Sequence, residues 1–268
     1  MSRLPHAGAP SDGPLVFITG ASSGIGQALA ARAAAEGGRL ALVARRQADV
    51  EQWVAAQGWP ASRARAYRAD VQDVASIVAA GQACLASQGL PDVVIANAGI
   101  SIGMDTAEPG DLDVMRETLA TNVTGVAATF HPFLAAMRQR GHGTLVVVAS
   151  VAGIRGLPGH GAYCASKAAV IAYAESLRGE CRGSGVRVVT LVPGYIATPL
   201  TARNPYPMPF LMPADAFAAR AWRAIAAGDS YRVIPWPMAI VAALLRVLPD
   251  AWFDRLFAGR GRKPRRGA

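Results

Sequence analysis

The chain is 268 residues long with a mass of 27.8 kDa, which suits one large domain or two small ones. Hydrophobic residues make up 52% of it, and although alanine supplies 55 positions, enough larger apolar residues remain to build a core, so a disordered chain is excluded. Of the formal charge of +9, five units come from Arg260, Arg262, Lys263, Arg265 and Arg266 near the C-terminus. The body carries only +4, and no basic patch marks the protein as nucleic-acid-binding.

The apolar pattern sets out the elements in chain order. Residues 15–19 are a continuous apolar run opening onto glycines, and 27–36 are alanine-rich and helix-prone, ended by Gly37 and Gly38. A strand follows at 40–44, a helix at 48–56, a strand at 65–69 running into Asp70, a helix at 74–87 and a strand at 93–96. A long helix is expected over 111–140, then a strand at 144–149, a helix at 162–182, a strand at 186–192, a helix at 214–227 and a short strand at 231–234. Fully apolar strands, rather than alternating ones, imply burial on both faces, the mark of a parallel sheet covered by helices. The expected fold class is α/β: one doubly wound parallel sheet of about seven strands with helices on both faces and a ligand site outside the carboxyl ends of the strands. No linker or repeat divides the chain. The expected layout is a flexible N-terminus (1–13), the domain (14–236), an apolar helical extension (237–258) and a basic tail (259–268).

Cys84, Cys164 and Cys181 are odd in number and spaced for neither disulfides nor zinc. The four histidines (His6, His131, His142, His160) also lack ligand spacing, so no metal is expected. The N-terminal residues lack the apolar run of a secretory signal, and the longest strongly apolar stretch, 238–245, is too short to span a bilayer. A cytoplasmic protein is expected.

The segment Thr19-Gly20-Ala21-Ser22-Ser23-Gly24-Ile25-Gly26 joins the first strand to the first helix. Gly20 allows a tight turn, Gly24 lets backbone approach a pyrophosphate, and Gly26 lets the helix pack on the sheet, with the N–H groups of the helix start facing the phosphates. Tyr163 and Lys167 are four apart at the start of a helix and share a face. A free tyrosine ionises near pH 10, and a neighbouring ammonium lowers that value toward the range useful for acid–base catalysis. Ser150, at the end of a strand, can hydrogen-bond a substrate oxygen. Lysine occurs only at 167 and 263, and asparagine only at 97, 122 and 204. A chain that uses arginine almost everywhere a cation serves thus keeps a lysine beside Tyr163, where arginine would not give the same compact ammonium. Cys164 should point off that face, and His160 either lines a substrate entrance or is plain polar surface.

The T-G-x-x-x-G-x-G loop, Asn97-Ala98-Gly99, Ser150, the Y-x-x-x-K pair and Pro193-Gly194 together resemble the short-chain dehydrogenase/reductase family over residues 14–236. The resemblance implies a Rossmann-type domain with Asn122, Ser150, Tyr163 and Lys167 as catalytic residues. Asn122 would hold a relay water behind the lysine, and Lys167 would also bind the nicotinamide ribose. It implies cofactor contacts from Gly20, Ser22, Ser23, Gly24, Ile25 and Gly26, from Asp70 and Val71 at the adenine, from Asn97, Ala98 and Gly99, and from Pro193, Gly194, Ile196 and Thr198. NAD-preferring relatives carry an acid near the end of the second strand. Here that position is Ala44, followed by Arg45 and Arg46, and Arg45 can grip a 2′-phosphate, so NADP(H) is expected. Some NADP-using relatives place a basic residue where this chain has Ser23.

The expected function is NADP(H)-dependent interconversion of a ketone or aldehyde and an alcohol. The alternative is a non-catalytic NADP-binding sensor, which would need no proton relay. The segment 195–213, with Leu200, Tyr206, Met208, Phe210, Leu211 and Met212, is an apolar lid that either receives a lipophilic substrate or packs on its own domain. Residues 238–248 are apolar nearly all round, and Trp252, Phe253, Leu256 and Phe257 share a helical face. Such a segment must cover the domain, meet another subunit or enter a membrane surface. Relatives in the family are commonly dimers or tetramers, so a homo-oligomer is expected first, a peripheral membrane contact second, and nucleic-acid binding is disfavoured.

Overall fold

The computed structural model describes residues 13–202, 204–259 and 261–267; the expected flexible N-terminus, apart from Gly13, lies outside the described residues. In chain order the elements are β1 (Leu15–Thr19), α1 (Gly24–Ala35), β2 (Arg39–Ala44), α2 (Gln47–Ala56), β3 (Ala64–Arg68), α3 (Val74–Gln88), β4 (Val93–Ala96) and α4 (Asp111–Leu119). A π-helical turn (Ala120–Thr124) leads into α5 (Gly125–Arg140), β5 (Gly143–Val148), α6 (Gly161–Glu180) and β6 (Val186–Pro193). The short strands β7 (Ile196–Ala197) and β8 (Met212–Pro213), α7 (Ala214–Ala227), β9 (Tyr231–Ile234), α8 (Trp236–Val247) and α9 (Asp250–Phe257) complete the chain.

The main sheet has seven parallel strands in the order β3-β2-β1-β4-β5-β6-β9, a Rossmann-like arrangement. Alternate residues of each strand feed two cores. Val16, Ile18, Leu40 and Leu42 pack with Leu29 of α1 and Phe217, Trp222 and Ile225 of α7. Leu15, Phe17, Ala41 and Val43 pack with Ile77, Phe130, Phe133 and Val170 from α3, α5 and α6 on the opposite face. Double-sided burial explains why the strands read as unbroken apolar runs. The chain runs outward from β1 to β3 and then crosses to β4 on the other side of β1, so the switch in strand order falls between β1 and β4, where such sheets open a crevice.

One expectation is corrected: the helix read over 111–140 is interrupted by the π-helical turn. The base of the lid is tied to the domain by the pairing of β7 with β8, Ile196 opposite Met212. At the C-terminal end, Met238, Ala242 and Phe253 turn inward, while Trp236, Ile240, Leu244, Val247, Trp252 and Leu256 are exposed. Among the described residues no helix is long and apolar enough to cross a membrane.

Candidate active site

The crevice between β1 and β4 is pinned by side chains. Thr19 Oγ1 accepts from the Asn97 N–H at 3.1 Å and the Ala98 N–H at 3.2 Å, and Asn97 Nδ2 donates to the Thr19 carbonyl at 3.0 Å. Just beyond Thr19, Gly20 adopts a left-handed turn (φ 70°), and a methyl group on Gly26 would overlap the Gly20 carbonyl, so α1 starts hard against the loop. Ser23 caps α1 without a side-chain bond, and the first turn holds no acid, which leaves the N-terminal N–H groups open to an anion.

A cleft of about 450 Å³ runs along the carboxyl ends of the strands. It is lined by Gly20, Ser22, Ser23, Gly24, Ile25, Arg45, Arg46, Asp70, Val71, Asn97, Ala98, Gly99, Ser150, Tyr163, Lys167, Pro193, Gly194, Ile196 and Thr198, so the residues singled out in the sequence meet along one surface. Gly26 and Asn122 are not on that surface; Gly26 packs behind the loop and Asn122 is fully buried. The cleft is also lined by Leu200 of the expected lid and by Ile100, Thr121 and Thr201, which sequence reasoning missed. Thr201 locks the lid base: its hydroxyl donates to the Ile196 carbonyl at 2.6 Å and accepts from the Thr198 N–H at 3.1 Å. The T-x-x-T spacing was its available signal.

At one end of the cleft, β2 stops at Ala44 and presents Arg45, whose guanidinium lies 3.7 Å from the Asp70 carboxylate. Arg46 pairs with Asp49 on the same turn. Asp70 is the single carboxylate among the described lining residues.

At the other end, Lys167 is buried and its Nζ donates to the Val148 carbonyl at 2.8 Å. Burial pushes the ammonium down to about 8. The π-helical turn carries Asn122, which accepts from the Ile100 N–H and donates to the Ile100 carbonyl and to Ser166 Oγ, all at 2.9 Å. Such insertions in helices recur at functional sites. Asn122 Oδ1 and Lys167 Nζ flank Gly99, where a methyl group would meet them at 3.2 and 3.6 Å. Ser150 lies two residues beyond β5 and caps a short 3₁₀ turn, its Oγ accepting from the Ala152 N–H at 3.2 Å.

Tyr163 is half-buried and lines the cleft. Burial raises its ionisation above the ordinary value of 10.0, and a hydrogen bond with Ser150 opposes the rise. This corrects the expectation that the neighbouring ammonium lowers it: Lys167 Nζ stands 5.8 Å from the ring centroid, and desolvation outweighs it. Cys164 is buried and its thiol is pushed up by burial, which makes it a packed side chain. His160 is no surface residue. It is buried, with Nδ1 3.1 Å from the Pro158 carbonyl and Nε2 3.0 Å from the Tyr206 hydroxyl.

A doubly wound parallel sheet with an open helix start at its switch point, and a serine, tyrosine and lysine at the carboxyl ends of the following strands, defines a nucleotide-binding oxidoreductase class. The chain belongs to the short-chain dehydrogenase family: residues 14–206 match the family described as short chain dehydrogenase. It is 38% identical over 245 residues to an uncharacterized oxidoreductase of Myxococcus xanthus, covering 89% of this chain and 94% of that one. The fold is shared with a short chain dehydrogenase/reductase of Burkholderia phymatum solved in complex with NAD (TM-score 0.78, 25% identity, 87% and 92% covered). It is also shared with a short chain dehydrogenase of Burkholderia cenocepacia solved in complex with NADP (TM-score 0.79, 22% identity, 92% and 98% covered).

Proposed function

We propose that the protein interconverts a carbonyl compound and an alcohol with NADP(H), using Tyr163 as the proton donor and acceptor. The observation that carries this reading is the convergence of Ser150, Tyr163 and Lys167 at one end of a cleft that also runs past an anion-receptive helix start. The residues present fit a dinucleotide. The N–H groups of α1 suit the pyrophosphate, and Lys167 is a desolvated ammonium that lines the cleft with a single carbonyl bond, leaving donors for ribose hydroxyls. When bound, the dinucleotide supplies or accepts the hydride at the substrate carbon. In the reductive direction Tyr163 gives its hydroxyl proton to the substrate oxygen while Ser150 Oγ donates a hydrogen bond to that oxygen and steadies the developing charge. Lys167 holds the cofactor ribose and favours the phenolate left behind, and Asn122 fixes the loop at Ile100 behind them.

Tyr163→Phe removes the proton and leaves the cleft in shape. Turnover of carbonyl compounds should fall by about 10²–10⁴-fold with cofactor affinity retained. Near-normal turnover of any substrate by that variant would overturn the assignment.

Preference for NADP(H) rests on Ala44 in place of an acid and on Arg45 at the cleft wall. A 2′-phosphate would compete with Asp70 for Arg45 and win on charge. Fluorescence titration should show NADPH bound more tightly than NADH, with Arg45→Ala erasing about tenfold to hundredfold of the difference. Equal affinities in the unmodified protein would contradict the preference. We further propose that the partner of the exposed α8–α9 face is a second copy of the chain. The described tail arginines, which would draw an anionic lipid surface, are paired with the chain's own carboxylates.

A further inference from the structure

The C-terminal segment 261–267 lies outside the part of the chain matched to the family, and it is no free tail. It packs as a strap across the loop that follows β4. The Gly103 N–H donates to the Pro264 carbonyl at 3.0 Å, and Gly103 pairs with Arg265 as an isolated parallel bridge. A methyl group on Gly103 would overlap the Lys263 carbonyl, so only glycine admits the strap there. On the other side Gly261 and Phe257 wall a small side pocket of about 60 Å³ with His160 and Tyr206, ahead of the turn that bears Tyr163.

The described cations of the strap divide into two kinds. Arg262 stands 3.7 Å from Asp105, Arg265 donates to buried Asp111 at 2.6 Å and lies 3.4 Å from Glu108, and Arg266 pairs with Glu117. These three anchor the strap to the segment 105–117. Lys263 does something else. It is half-buried, its Nζ donates to the Leu200 carbonyl at 3.0 Å, and among the described residues no carboxylate lies within ion-pair distance. Leu200 lines the cleft. On its other side the Lys263 charge reaches His160, whose imidazole is held below its ordinary range by burial first and by Lys263 in addition, against a bond to Pro158. Neither lining contains an acid at this end, because the cleft's one carboxylate, Asp70, is at the Arg45 end. A half-buried ammonium with donors left over, between Leu200 of the cleft and His160 of the side pocket, suits a ligand with an apolar body and a negative end.

We propose that Lys263 is a specificity-determining residue that receives a carboxylate of the substrate, which makes the substrate an oxo acid with an apolar body, or the corresponding hydroxy acid. The proposal rests on the carbonyl–alcohol reading above and names its substrate class. Lysine suits the task as a compact point charge that accepts one carboxylate without the planar fork of arginine.

The chain's two lysines make the test direct. Protein carrying ε-¹³C-lysine gives two side-chain signals, and Lys263→Met assigns them by removing one. A series of straight-chain oxo acids and their methyl esters is titrated in the presence of oxidised NADP, where no hydride is available. An oxo acid should shift the Lys263 signal and its ester should not. In turnover with NADPH, Lys263→Met should lower the ratio of kcat/KM for acid over ester by about tenfold to hundredfold. A ratio left unchanged by the substitution, or a Lys263 signal that acid and ester move alike or not at all, overturns the proposal. A Lys263 signal moved by the acid alone, with no turnover of either compound, would uphold the carboxylate site and remove the oxidoreductase reading instead.

Discussion

Lys167 shows how much of the site one residue type reveals and how much it conceals. Its place was legible because the chain almost always chooses arginine, and a lysine four residues after Tyr163 stands out against that habit. The electrostatics were not legible. Burial is set by α6 packing on β5 and cannot be counted from spacing, and it raises Tyr163 where proximity of charge alone argued the reverse. Burial also makes Lys167 a cost to the fold. Its folded value of about 8 lies below the reference 10.5, so between these values the unfolded chain binds more protons than the native one. Stability contributed by this group therefore rises with pH across that window, and below it the full cost, of a few kcal/mol, is present. Lys167→Met removes the buried charge. We expect it to raise Tm by roughly 5 °C at neutral pH while abolishing turnover. A lowered Tm in a thermal melt would show that the Val148 bond outweighs desolvation.

Among the elements, strands were the most legible and the irregular pieces the least. Strands buried on both faces announce themselves as apolar runs, and β1, β4 and β9 fall where the pattern put them. The π-helical turn did not register, because one extra residue barely disturbs a helical pattern over thirty positions; yet that residue lets Asn122 reach back to Ile100 and across to Ser166. The strap was hidden for another reason. Its anchor joins Arg265 to Asp111, 154 residues away, and Asp111 reads in the sequence as an ordinary acid in a first helical turn. The strap thus looked like a polybasic tail suited to lipid, whereas its described arginines face the chain's own carboxylates.

At the scale of the whole molecule the unbalanced feature is the outer face of α8 and α9. Trp236 is 69% exposed, Leu244 61%, Val247 77% and Trp252 68%, large apolar side chains on two consecutive helices. Their inward partners, Met238, Ala242 and Phe253, already bind the helices to the domain, so the outer row has no further part in holding the monomer together. Leu244→Glu should lower the mass measured by light scattering without changing the thermal melt of the domain. A mass unaffected by that substitution and by Trp252→Glu would remove the second copy from this face.

The bonds between Thr19 and Asn97 also carry a statement about time. The two residues are 78 positions apart, and three helices and three strands intervene. Parallel strands cannot be zipped by a hairpin, so β4 reaches β1 only after a long crossover is arranged, and this is the slow kind of contact in folding. Until then Gly20 and its neighbours are a glycine-rich stretch with no ledge beneath them. The loop should therefore acquire its shape late, when the second half of the sheet docks on the first, and a fragment ending before Val93 should possess the loop's residues without that shape.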